Sequence, residues 1–368
     1  MLPLSPVPLL QKLVRIPSVN PEGDPGVDDP GEMALAIVLE KILSDLGADV
    51  SLREILPGRP NVVARFPSDR EGKPRLLFAP HTDTVSVAGM TIDPFCGEVR
   101  EGRVWGRGAS DTKGSMAAMI AALSRLPEMI PTLSHEIWFA GLMGEESGQH
   151  GAKALASEEK FDFVIAGEPT DLKTVHAHKG SLWLTLTAHG KAVHASAPEQ
   201  GENAIYMMTS AIQRIREQVL PDLSKTLHPL LGCSTLSVGT IRGGSKTNIV
   251  PDYCEATLDV RVVPGEDPLR IVELIRQVSP GIEVAHLGST PLYTDPAHPM
   301  IAKLSSLGAV PIGAPWFCDA AVFAAKGVAS VALGPGSIAQ AHTADEWIDC
   351  RDLESGADFF ERFLRTLV

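Results

Sequence analysis

Cysteine is scarce in this chain, and its pattern excludes two ways of stapling a fold. Cys96, Cys233, Cys254, Cys318 and Cys350 are odd in number, far apart and never spaced Cys-x-x-Cys. Neither a disulfide framework nor a cysteine-held structural zinc is expected; reduced thiols in a cytoplasmic protein are. Long apolar runs are missing as well, so no segment is expected to span a bilayer. Near the N-terminus Pro3, Pro6, Pro8, Lys12 and Arg15 interrupt the apolar residues, and no secretory h-region forms. Basic residues are outnumbered, 32 Lys and Arg against 45 Asp and Glu, for a formal net charge of −13. That balance argues against nucleic acid and against an anionic membrane as partners. Internal repeats and low-complexity tracts are absent, apart from a Gly/Pro/Asp-rich loop over Pro21 to Pro30.

What remains is the composition of an ordinary globular protein, 44% hydrophobic and 21% charged. At 368 residues the chain is long for a single core, and two domains are expected. Met33 to Leu46 carries apolar residues at helical spacing with Gly47 as its stop. Leu76–Ala79, Ile137–Ala140, Phe163–Ala166 and Val328–Leu333 are short, nearly continuous apolar runs. Such runs predict strands buried on both faces, as in a mostly parallel sheet covered by helices. The covering helices are predicted at Ser115–Leu126, Phe317–Lys326 and Leu353–Val368. Between them the pattern changes. Leu182–Thr187 and Glu255–Val262 alternate with period two, which predicts antiparallel strands with one packed face. Helices at Ala204–Val219 and Pro268–Val278 would cover that face. The predicted fold is therefore α/β, a discontinuous domain of residues 1–179 and 289–368 with an inserted α+β domain of residues 180–288.

The chemistry concentrates in His81, Asp111, Glu146, Glu168 and His342. Two imidazoles and three carboxylates are a ligand set that suits borderline divalent cations such as zinc at catalytic sites. Open α/β sheets bind ligands at the carboxyl ends of their strands. His81, Glu145–Glu146 and Glu168 each follow one of the apolar runs, and His342 arrives from the loop after a fourth. Taken singly, His-x-Asp reads as a surface turn, Glu-Glu as a solvated loop and Glu-Pro as a turn. Asp111, taken the same way, reads as an N-terminal helix cap. Together they converge on one sheet edge. Asp83, two residues from His81 on extended chain, is placed to accept the second imidazole N–H. Adjacent side chains diverge, so Glu145 and Glu146 divide into one general base and one ligand. His194 in Gly190–Ser196 stays open between a functional group and an ordinary loop histidine. Gly106-Arg107-Gly108 has neither nucleotide-binding spacing.

In this order the motifs resemble those of the zinc metallopeptidase family that includes acetylornithine deacetylase, succinyl-diaminopimelate desuccinylase, carboxypeptidase G and aminoacylase. The resemblance runs from Ile16-Pro17-Ser18-Val19-Asn20-Pro21 to Ala341-His342-Thr343-Ala344-Asp345-Glu346. His176–Gly180, Asp259–Gly265 and Leu333–His342 most resemble the acetylornithine deacetylases. Where those show Cys-Thr-Glu-Ala, this chain has Cys318-Asp319-Ala320-Ala321. The resemblance implies two zinc ions per subunit, with cobalt as an in vitro substitute. One ion would take His81, Asp111 and Glu168, the other Asp111, Glu146 and His342, with a cis peptide after the shared Asp111. It implies Glu145 as general acid/base, Asp83 as orienting group, and His194 as oxyanion donor from the second subunit of a homodimer formed through the inserted domain.

The expected function is removal of an N-acyl group from an amino acid, acetylornithine deacetylase-like, in the cytoplasm and in arginine biosynthesis. Arg261 and Asn248 are candidates for the substrate carboxylate, since guanidinium matches a carboxylate in shape; Arg261 reads equally as a strand-surface ion pair. Asp319 suits either a cationic substrate group or a helix cap. The alternatives are a desuccinylase, a dipeptidase or carboxypeptidase, and a metal-containing binding or regulatory protein on the same fold.

Overall fold

The computed structural model describes residues 2–22 and 31–368. Most of the Pro21–Pro30 loop lies outside the described residues. The chain divides into two compact units, one of Met1–His176, Tyr293–Ile312 and Cys318–Val368, the other of Ala177–Leu292 and Gly313–Phe317.

The first unit is built on a mostly parallel sheet. Arg75–Pro80 lies between Glu136–Gly141 and Phe163–Gly167, parallel to both, and Ala329–Ala332 runs parallel beyond Phe163–Gly167. Asp49–Leu56 and Arg59–Arg65 extend one side as an antiparallel pair. The apolar runs are continuous because both faces are covered. Leu76 and Phe78 point into a core with Leu39, Met116 and Phe360, from helices Met33–Asp45, Lys113–Ser124 and Cys350–Arg365. Leu77 and Ala79 point the other way, toward Leu155, Phe161 and Phe323. Phe78 and Phe360 meet edge to face with centroids 5.6 Å apart, a favoured aromatic geometry.

Predicted and observed helices differ mainly at their ends. Asp349 accepts the Arg351 N–H at 2.9 Å and starts the last helix at Cys350, ahead of the predicted Leu353. The stretch predicted as Phe317–Lys326 is helical only over Ala320–Ala324. Pro6–Val14, with two prolines, is a helix that the apolar pattern did not disclose. Proline is tolerated in a first turn, where its missing N–H has no partner to lose.

The second unit carries a purely antiparallel sheet in the order Thr235–Gly243, Tyr253–Val262, Gly180–His189, Ile282–Ser289. Alternate residues of Tyr253–Val262 are buried, against helices Ala204–Arg214 and Pro268–Val278. The first of these passes through a π turn at Ile215–Val219 and continues to Leu223. Pro221 accounts for the widening: it supplies no N–H and its ring crowds the carbonyl four residues back. The α/β class with an antiparallel α+β insertion is as expected, and no helix among the described residues is long and apolar enough to cross a membrane.

Phe360→Ala should lower the unfolding free energy by about 3–5 kcal/mol in urea titrations. Leu287→Ala, at a side chain 56% exposed, should change it by less than about 0.5 kcal/mol.

Candidate metal centre

Strand register sets the centre. Pro80 pairs with Gly167, so the next residues, His81 and Glu168, emerge side by side at the carboxyl edge. On the other flank His81 bridges to Leu142, just before the loop carrying Glu145 and Glu146. The turn before helix Lys113–Ser124 brings Asp111, and the peptide Asp111–Thr112 is cis. The Thr112 hydroxyl donates to the Gly167 carbonyl, tying that turn to the strand that carries Glu168. The fourth strand leads into Gly334, where a Cβ would lie 2.6 Å from the Glu168 carbonyl oxygen and 2.0 Å from Ser115 Oγ. Only glycine allows that approach, and the loop then delivers His342.

His81 Nε2 lies 3.0 Å from Asp111 Oδ1, and His342 Nε2 lies 3.3 Å from Asp111 Oδ2 and 3.2 Å from Glu146. The donor atoms form sets within 4.8 Å: His81, Asp111 and Glu168; Asp111, Glu146 and His342; and His81, Glu145 and Glu146. The first two share Asp111, which turns one oxygen to each imidazole. The N-cap of that helix is Thr112, not Asp111. In residue type and spacing these sets fit a pair of divalent cations.

Asp83 does more than the sequence predicts. His81 Nδ1 donates to the Asp83 main-chain oxygen at 3.0 Å, with the carboxylate farther away at 3.5 Å. Either way Nδ1 carries the proton and Nε2 is left as the ligand atom. The Asp83 carboxylate instead accepts the N–H groups of Glu145 and Glu146, each at 3.0 Å, and the Asn20 side-chain amide at 2.8 Å. It fixes the backbone of the glutamate pair.

Electrostatics follow from burying many carboxylates together. Burial pushes the Glu145 and Glu168 carboxyls well above the ordinary value, and Glu146 upward. Burial alone would do the same to Asp111, but the two imidazoles hold it below the usual range. The His342 imidazole is raised from 6.5 to about 10 by Asp111 and Glu146. Asp319 is buried and pushed up to about 7, chiefly by desolvation; its carboxylate accepts from Gln149 at 3.2 Å and does not cap its helix.

The remaining expected residues lie in the second unit. His194 is exposed, its Nδ1 2.8 Å from Ser196 Oγ. Asn248 is exposed and accepts the Ala195 N–H through its main-chain oxygen at 3.0 Å. Arg261 forms a forked pair with Asp259, Nε to Oδ1 at 2.8 Å and Nη2 to Oδ2 at 2.9 Å. That is the strand-surface ion pair foreseen as its alternative.

Residues 77–366 match the model of peptidase family M20/M25/M40. The chain belongs to this family. It is 31% identical to an acetylornithine deacetylase of Proteus mirabilis, over 95% of this chain and 93% of that protein. It is 30% identical to one of Buchnera aphidicola, over 94% and 93%. Its fold is similar to that of a Staphylococcus aureus tripeptidase, with TM-score 0.78 and 25% identity over 98% of both chains. A metallo-carboxypeptidase from Sulfolobus solfataricus has TM-score 0.79 at 21% identity, over 98% of this chain and 99% of that one. The protein is a hydrolase of amide bonds, which sets aside the non-enzymatic alternative.

A raised histidine pKa stabilises the folded state fully below its unfolded value and ceases to do so as pH passes the folded value. For His342 that window runs from 6.5 to about 10. Chelator-stripped protein should therefore lose thermal stability as pH rises through this range. Zinc binding should release protons, measurable by titration calorimetry in buffers of different ionisation heat.

Proposed function

We propose that this hydrolase is an acetylornithine deacetylase-like enzyme that removes the acyl group from an N-acyl amino acid and works with two zinc ions per subunit. The observation that supports this most is the division of the Asp111 carboxylate between His81 and His342. Zinc suits two imidazoles among carboxylates, with cobalt as an in vitro substitute. Such ions, when bound, polarise the scissile carbonyl and acidify water toward neutral pH.

The chain's own groups supply the rest. Glu145, buried and with raised proton affinity, takes the proton from the attacking water and returns it to the leaving amine. Asp83 holds His81 in one tautomer and keeps the Glu145–Glu146 backbone in place. His194 donates to the developing oxyanion. Arg261 and Asn248 hold the substrate carboxylate; the pair with Asp259 uses Nε–H and one N–H of Nη2, so Arg261 offers Nη1 and the second N–H of Nη2. In this reading residues 1–179 with 289–368 are the catalytic domain. Residues 180–288 form the lid and the homodimer surface, and His194 serves the other subunit's centre. Identity to the deacetylases favours an acetylated amino acid; in the same reading the enzyme is cytoplasmic and serves arginine biosynthesis. Likeness to the tripeptidase keeps a peptidase as the second reading.

Steady-state kinetics on acetylornithine, acetyllysine, succinyl-diaminopimelate and small peptides separate these readings. The highest kcat/KM should fall on an acetylated amino acid, and a strong preference for peptides would overturn the deacetylase assignment. Glu145→Ala should keep its metal content while turnover falls about 10²–10⁴-fold; near-normal turnover would remove Glu145 from its role.

A further inference from the structure

Among the described residues Glu346 belongs to none of the metal-ligating sets, yet it is 0% exposed and surrounded by donors. Its Oε1 accepts the N–H groups of Ser110 at 2.8 Å and Asp111 at 2.9 Å. Its Oε2 accepts the Gly108 N–H at 3.0 Å and Arg107 Nη1 at 2.8 Å. Its main-chain oxygen takes the Gly106 N–H at 3.0 Å. The turn Gly106–Asp111 is thus wrapped around one side chain. Pairing of Trp347–Asp349 with Arg103–Trp105 sets that side chain opposite the turn.

This turn needs an anchor. Gly106 has φ +139° and Gly108 φ +81°, conformations that glycine adopts without a steric penalty but also leaves readily. A carboxylate collecting successive N–H groups selects one conformation of such a segment. Fixing the Asp111 N–H fixes the origin of its side chain, which must face two imidazoles at once. Glu346 also follows His342 by four residues in the same loop. One buried carboxylate therefore ties the shared ligand to the loop that carries His342. His81 and Glu168, in contrast, directly follow paired strands of the main sheet.

We infer that Glu346 is the positioning residue of the shared carboxylate, and that its loss weakens the cation position of Asp111, Glu146 and His342 more than that of His81, Asp111 and Glu168. The position of Asp111, Glu146 and His342 draws two of its ligands from segments that Glu346 joins, the other only one. The inference rests on the two-ion reading given above.

Zinc titration of chelator-stripped full-length protein, with the visible absorption of the cobalt form as a second readout, tests it. Wild type should take up two ions. Glu346→Gln should stay folded by circular dichroism, bind the first ion with affinity within about threefold of wild type, and lose about 10–100-fold in affinity for the second. Arg107→Met, which removes the ion pair and keeps the N–H contacts, should retain both. Equal loss in both variants assigns the effect to the ion pair and overturns the inference, as does unchanged binding of two ions by Glu346→Gln. Wild type taking fewer than two ions removes the two-ion reading and this inference with it. Hydrogen exchange in stripped wild type needs no variant: the Ser110 and Asp111 amides should be strongly protected, and exchange at exposed-loop rates overturns the inference.

Discussion

Like charges held close together and away from water are the constraint around which the first unit is organised. Asp111, Glu145 and Glu168 are each less than a tenth exposed, and the donor sets they form with Glu146 span only a few ångströms. Bringing ionised carboxylates together in a poorly hydrated place is unfavourable unless protons or cations compensate. The raised proton affinities of Glu145, Glu146 and Glu168 express that cost. A scaffold that tolerates it must be stiff, and a parallel sheet with helices on both faces meets the need: its ladder fixes the stems of His81 and Glu168 before any side chain is considered.

Where the ladder ends, buried carboxylates take over. Asp83 accepts the N–H groups of Glu145 and Glu146, and Glu346 accepts those of Ser110 and Asp111. In both cases an acid that is not itself in the two sets sharing Asp111 anchors the backbone of one that is. Hydrogen bonds to a charged acceptor are among the stronger ones, and here all but the one from Glu146 are buried. The loops keep irregular shapes without relying on side-chain packing alone.

Much of this was legible in the sequence, for physical reasons. Apolar runs such as Phe163–Ala166 are long enough to be strands and too short to be helices, so they revealed the parallel sheet and where chemistry would leave it. Alternation in Glu255–Val262 revealed the antiparallel unit. The family resemblance supplied the division of ligands around Asp111. Edge and outer strands were hidden: Asp49–Leu56 mixes charged residues into its pattern and buries no residue fully, and Thr235–Gly243 is largely exposed. Glu346 was hidden too. It stands in the polar stretch Thr343-Ala344-Asp345-Glu346, where only a long-range contact separates an anchor from a solvated acid. The forked pair of Arg261 with Asp259 was one of two options that period-two spacing permits, and the sequence held no means of choosing.

The order of segments along the chain has a consequence for assembly. The main sheet cannot be completed until Ala329–Ala332 returns to pair with Phe163–Gly167, with the whole second unit intervening. Yet the first and last strands of that second unit are neighbours, Ser181 opposite Ser289. Once those strands zip together, the long excursion is closed to a narrow neck, and the entropy of bringing its ends together is already spent. A polypeptide growing from the ribosome can therefore finish its inner unit while the outer one still waits for its final strand and helix.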